Sequence, residues 1–147
     1  MHFKYSELKK LRLEYDLSAE ELREFVEHVM VCDDDFVIGR YRYINGDEID
    51  KIMQDELSSD EYILGCFNAW LLASVLEIDQ DVIEEMQKCE AYTAIGKLVL
   101  SLGKLEKLQE SYVQADGYGN HFDHYSGSTD EIHFSDDIPS FYRFRND

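Results

Sequence analysis

The chain has 147 residues, 44% of them hydrophobic, which is enough apolar mass for the core of one ordinary domain; a single compact domain over residues 1–147 is expected. With 32 acidic against 14 basic residues the formal net charge is −18, and that sign excludes direct binding of the chain as a whole to nucleic acid or an anionic membrane surface. The longest uncharged run, Tyr62 to Leu76, is shorter than the about 20 residues a bilayer span needs. Met1 to Glu7 carries no apolar signal stretch, so a cytoplasmic location is expected. Cys32, Cys66 and Cys89 are odd in number and match no zinc or redox spacing, so they are expected to be reduced packing residues, Cys66 in the core.

Taken in order, Tyr5 to Tyr15 places Leu8, Leu11 and Tyr15 on one side of a helix. Ser18 and Glu21 then have capping-box spacing, and Leu22, Phe25, Val26 and Val29 follow at helical intervals. From Phe36 to Ile44 the period changes to two, with Val37, Tyr41 and Tyr43 on one face and Arg40 and Arg42 on the other; one strand is predicted, ended by Asn45-Gly46. Asp47 to Leu57 reads as a short helix with Ile49, Ile52, Met53 and Leu57 inward. Its outward face is Asp47, Glu48, Asp50, Asp55 and Glu56. Ser58 to Glu61 offers a second capping box, opening a central helix that runs to Leu76 and is apolar on nearly every side.

Asp79 is a cap for the helix carrying Val82, Ile83 and Met86, and Ala91 to Leu108 has Ile95, Leu98, Leu102 and Leu105 along one seam. Gly96 and Gly103 on a common side would permit either a close helix contact or a break. Beyond Ala115 the composition turns to Gly, Asp, His and aromatics, where helix is not expected. Glu131 to Phe134 and Ser140 to Arg145 read as two strands. Four or five helices packed with a small antiparallel sheet, strands near 36–44, 131–134 and 140–145, make an α+β domain.

Charge is unevenly placed: half of the acids fall between Glu14 and Glu61, while residues 1–13 are basic. On helices Glu20, Glu24 and Glu27 form one row, and Asp81, Glu84 and Glu85 start another. Neighbours in such a row stand about 5–6 Å apart, near the phosphate spacing along a nucleic-acid strand. Their mutual repulsion, about 0.7 kcal/mol in water, gives folding nothing. A surface of this kind attracts the basic cleft of a nucleic-acid-binding protein. Arg40, Arg42, Arg143 and Arg145 would make a compact positive face if their strands were neighbours, or serve as internal partners of the acidic helices.

Chemistry has one further candidate. His121, Asp123 and His124, with Asp116 and His133 nearby, combine imidazole and carboxylate in a way that suits a divalent metal, although the helical His-Glu-x-x-His motif is missing. Asp33-Asp34-Asp35 lacks the calcium-loop spacing and reads as a turn. No phosphate loop, dinucleotide fingerprint or nucleophile elbow occurs.

In size and acidity the chain resembles phage and plasmid anti-defence proteins, including DNA-mimic anti-restriction and anti-CRISPR proteins. The Ala115 to Phe122 segment, with Tyr125 and Gly127, is similar to a stretch in uncharacterised phage-type proteins. The first resemblance implies a non-enzymatic inhibitor with no cofactor, in a host-cell cytoplasm if phage-encoded, whose partner is a basic nucleic-acid-binding protein such as a defence nuclease or CRISPR effector. The candidate partner-binding residues are read from the charge pattern: Glu20, Glu24, Glu27, Asp47, Glu48, Asp50, Asp55, Glu56, Asp81, Glu84 and Glu85. The alternative is a small metal-dependent enzyme using His121, Asp123 and His124.

Overall fold

A computed structural model describes residues 2–135 and 137–147, which form an α+β fold. The elements are α1 (Tyr5–Glu14), α2 (Ala19–Met30), β1 (Asp35–Ile38), β2 (Tyr41–Asn45), α3 (Ile49–Ser58), α4 (Glu61–Gly65) and α5 (Ala69–Leu76). They continue with α6 (Gln80–Lys88), α7 (Tyr92–Ser101), α8 (Leu105–Asp116), α9 (Gly119–Phe122), β3 (Asp130–Ile132) and β4 (Phe141–Arg145). Nine helices among the described residues exceed the four or five predicted. The chain sorts into two compact units, Met1–Ile49 with Gly117–Asp147, and Asp50–Asp116. No linker marks either crossing: the first falls inside α3, the second where the composition shifts.

The first unit holds a four-stranded antiparallel sheet in the order β1-β2-β4-β3. The single strand predicted over 36–44 is a hairpin, because Gly39, at φ +62°, supplies the left-handed turn residue that reverses the chain. Reversal also changes which residues share a face. Phe36 pairs with Tyr43 and Val37 with Arg42, so Phe36, Ile38 and Tyr43 face the core while Val37 is half exposed, against the predicted grouping of Val37 with the tyrosines. On the core side these residues, with Phe141 and Ile132, pack on Leu11 of α1, on Leu17, and on Phe25 and Val29 of α2. Phe25 is fully buried, with ring centroids 5.2 Å from Tyr43 and 5.7 Å from both Phe36 and Phe141. On the opposite side Phe122 of α9 stacks on Phe144 at 5.2 Å. The helical turn of α9 corrects the expectation of no helix beyond Ala115.

α2 begins with the predicted capping box: Ser18 accepts from the Glu21 amide, and the Glu21 carboxylate accepts from the Ser18 amide. The second predicted box is not formed. Ser58 closes α3, and Asp60 alone caps α4 by accepting from the amides of Tyr62 and Ile63. Asp79 caps α6 as predicted.

In the second unit the predicted helix to Leu76 is broken between Gly65 and Ala69, giving α4 and α5. The amide of Gln87 donates to the carbonyls of Gly65 and Phe67 at 3.0 and 2.9 Å, satisfying backbone groups that the break would otherwise strand. α4 and α7 cross so closely that a methyl at Gly96 would collide with the Glu61 carbonyl, and one at Gly65 with the Tyr92 carbonyl. Gly96 thus makes the close contact its position allowed, but its counterpart is Gly65. Gly103, at φ +66° with open space around it, instead ends the seam between α7 and α8.

The break also corrects the burial pattern. Leu71, Leu72, Val75 and Leu76 are buried, but Tyr62, Ile63 and Trp70 are about half exposed. Cys32, Cys66 and Cys89 are free and exposed, so none is a packing residue and Cys66 is not in the core. Leu102, placed on the apolar seam of Ala91 to Leu108, is also about half exposed, as is Val82 of α6. Among the described residues no helix is long and apolar enough to cross a membrane.

Candidate functional site

The eleven carboxylates that the charge pattern singled out are divided between the two units. Glu20, Glu24, Glu27, Asp47 and Glu48 belong to the first; Asp50, Asp55, Glu56, Asp81, Glu84 and Glu85 belong to the second. α2 carries Glu20, Glu24 and Glu27 in the predicted row, with Glu20 and Glu27 exposed and Glu24 half exposed. Glu27 lies 3.8 Å from Arg23 one turn back. Both groups are about 70% exposed, so the pair is solvent-screened and worth little. Glu85 makes a similar exposed pair with Lys88 at 3.7 Å, and Glu84 accepts from Gln80 at 3.0 Å. Among the described residues Glu20, Glu24, Asp47, Glu48, Asp55 and Asp81 make no ion pair.

Asp50 has a structural task. Its carboxylate accepts at 2.8 Å from the side-chain amide of Gln109, which is fully buried and whose oxygen accepts from Gln54 at 3.0 Å. Removing that acceptor would leave a buried donor unmatched, so Asp50 holds the second unit together whatever else it contacts.

The arginines do not form one positive face. β2 and β4 are neighbours, but their register places Arg42 opposite Phe144, while Arg143 pairs with Tyr43 and Arg145 with Tyr41. Arg42 therefore projects from the other side of the sheet. It grips Asp35 through two hydrogen bonds of 2.8 and 2.6 Å, and Arg145 pairs with Asp147. Asp35 belongs to β1 and Asp147 to the C-terminus. Arg143 is 8% exposed; its guanidinium lies 3.4 Å from the Tyr41 ring centroid and 4.3 Å from that of Tyr15, and its Nε donates to the Tyr43 hydroxyl at 3.1 Å. Burial pushes the Tyr43 hydroxyl above its ordinary pKa, with Arg143 acting in the opposite direction.

The His121, Asp123, His124 cluster is organised by hydrogen bonds to the backbone. One Asp123 oxygen accepts from the amides of Tyr125, Ser126 and Gly127 at 3.0, 2.8 and 3.2 Å. The other accepts from the Arg145 amide at 2.8 Å and so ties the loop to β4. Partial burial works to raise the Asp123 pKa, but these four amides prevail and hold it below the ordinary carboxylate value. His124 donates from Nδ1 to the Asn146 carbonyl at 3.0 Å. Among the described residues no group of three or more His, Cys, Asp or Glu side chains converges closely enough to hold a metal ion. Asp123 and His124 are thus both engaged with the backbone of the turn and of the C-terminal strand.

Asp33-Asp34-Asp35 is likewise a satisfied loop: Asp33 contacts His28 Nδ1 at 3.0 Å, Asp34 accepts from Asn45 at 2.9 Å, and Asp35 holds Arg42. Sequence reasoning missed the exposure of Tyr62 and Trp70, which belong to the apolar run read as core. The spacing of Tyr62, Cys66 and Trp70, four residues apart, was the available signal, since each has a polar atom able to meet water. Of the tyrosines outside that run, Tyr5 and Tyr125 are exposed, whereas Tyr112 is buried. Compared with family models, curated proteins and solved structures, the chain matches none of them.

Proposed function

We propose that this protein is a non-enzymatic inhibitor whose acidic helices dock into the basic nucleic-acid site of a partner protein, of the kind found in defence nucleases and CRISPR effectors. The observation that supports this most is the placement of unpaired carboxylates. Its sheet arginines are matched by Asp35, by Asp147 and by tyrosine rings, while Glu20, Glu24, Asp47, Glu48, Asp55 and Asp81 face solvent wholly or in part without a basic partner among the described residues. Repulsion within the α2 row opposes folding slightly, and an external cluster of lysines and arginines would relieve it. Carboxylates would stand in for phosphates at those groups, and exposed Tyr62 and Trp70 offer rigid aromatic anchors of the type that carry interface energy.

The test is capture from lysate of bacteria carrying restriction or CRISPR systems, with the protein and with a Glu20→Lys, Glu24→Lys, Glu27→Lys variant. The expected result is a basic nucleic-acid-binding protein retained at about 0.1 M salt, lost at about 0.5 M, displaced by competing DNA or RNA, and not retained by the variant. Retention that survives both high salt and charge reversal would rule out the mimic.

A further inference from the structure

Leu11 of α1 and Phe25 and Val29 of α2 are buried in one cluster against the sheet, so the two helices form a layer over that face and their opposite sides look outward. On the outward side of α1 stand Tyr5, 79% exposed, then Lys9 and Arg12, with Leu13 beside them at 71%. Together with Asp16 and Leu17 they line a groove of about 380 Å³. Among the described residues Lys9 and Arg12 meet no carboxylate, although acids outnumber bases 32 to 14 in the chain. Arg12 donates only from Nε, to the Leu17 carbonyl at 3.3 Å. The outward side of α2 carries the opposite pattern: Glu24 and Glu27 lie on it, and Val31, at its C-terminal cap, is 76% exposed. Lys9 follows Tyr5 by four residues and Arg12 follows Lys9 by three; in α2, Glu27 follows Glu24 by three and Val31 follows Glu27 by four. Laid antiparallel, the two stripes therefore match over about 10.5 Å of helix, Tyr5 against Val31, Lys9 against Glu27 and Arg12 against Glu24. A like-charged juxtaposition in this register, Asp16 with Glu20, falls past the end of α1. Both stripes look outward, so they cannot meet within one copy.

We propose that a second copy of this chain occupies this face: α1 of each protomer packs antiparallel on α2 of its partner about a two-fold axis, Tyr5 covering Val31 and Lys9 and Arg12 pairing with Glu27 and Glu24. Salt confines the repulsion between two acidic bodies to within about 8 Å, whereas charges in direct contact are screened less, so these complementary stripes are where two copies can meet. The dimer does not rest on the inhibitor function. It covers Glu24 and Glu27, so a second copy and a basic partner compete for α2.

The experiment is sedimentation velocity on the full chain alone, from about 10 µM to about 1 mM at about 0.15 M salt, a range suited to a small interface. The parent is expected to pass from monomer to dimer across it. A Lys9→Glu, Arg12→Glu variant and a Glu24→Lys, Glu27→Lys variant change the net charge in opposite directions, yet each should weaken the dimer by about tenfold or more. An equimolar mixture of the two variants should pair, and so should a chain carrying all four substitutions, which keeps the parent's net charge. The four side chains lie on the outward sides of their helices, so the circular dichroism of each variant should match the parent's. A dimer that survives either double variant, or one that the four substitutions together fail to restore, would overturn the antiparallel pairing. A parent that stays monomeric to about 1 mM would overturn the dimer and leave α1 to an acidic partner other than this chain.

Discussion

Asp123 shows how a single residue can look like chemistry and act as architecture. Four backbone amides converge on its carboxylate, so the loop from Tyr125 to Gly127 and the end of β4 are organised around one charge. Asp123→Ala should lower stability by about 2–3 kcal/mol, read from the urea midpoint, because charge-assisted bonds are lost and their donors must be rehydrated. Since the folded-state pKa is depressed, the stabilisation is present above the unfolded value of 3.8 and disappears as the pH falls through the lower folded value. Between about pH 5 and pH 2 the parent should therefore lose more stability than Asp123→Asn, which cannot titrate there. Were the two curves parallel, Asp123 would not be the titrating support of this loop. Arg143 is a comparable case: a charge in a strand pattern reads as solvent-facing, yet it is buried between two tyrosine rings.

At the scale of elements, the α4–α7 crossing depends on two glycines that bring backbone against backbone. Gly96→Ala would force a methyl onto the Glu61 carbonyl, a rigid obstacle, and should cost about 3 kcal/mol in thermal or chemical unfolding. Gly103→Ala is a useful contrast, because the added methyl meets nothing and only the left-handed backbone resists it; its cost should be about 1 kcal/mol. If Gly96→Ala were the milder of the two, the close crossing would be wrong. Helix ends were partly legible: the Ser18 box and the Asp79 cap follow from side-chain chemistry at fixed spacing. Asp16, Cys32, Glu77 and Glu90 hold left-handed conformations at or just beyond the ends of α1, α2, α5 and α6 without being glycine, so those ends carry no glycine signal in the sequence.

For the whole molecule the net charge of −18 opposes folding, and in the proposed function it also attracts the partner. Like charges at helical spacing are screened over a Debye length of about 8 Å near physiological salt, so the melting temperature should rise between about 0.01 M and 0.2 M salt, as followed by circular dichroism. Binding to a basic partner should weaken over the same range. A protein in which both quantities ignore salt would have an acidic surface with no energetic consequence.

Several features followed from the sequence alone because they depend on composition or on neighbours a few residues apart. These are the net charge, the α2 row, the Ser18 and Asp79 caps, the C-terminal strand and the α+β class. Tertiary structure decided what depends on partners distant in the chain. Arg42 lies on the opposite side of the sheet from Arg143 because strand register sets the face, and Asp50 is held by Gln109, fifty-nine residues away. The apolar run to Leu76 exposes Tyr62 and Trp70 because a break, sustained by Gln87, turns one helix into two. Hydrophobic periodicity records which side chains can be buried, but not where the backbone reverses or breaks, and those events determine which side chains are left exposed.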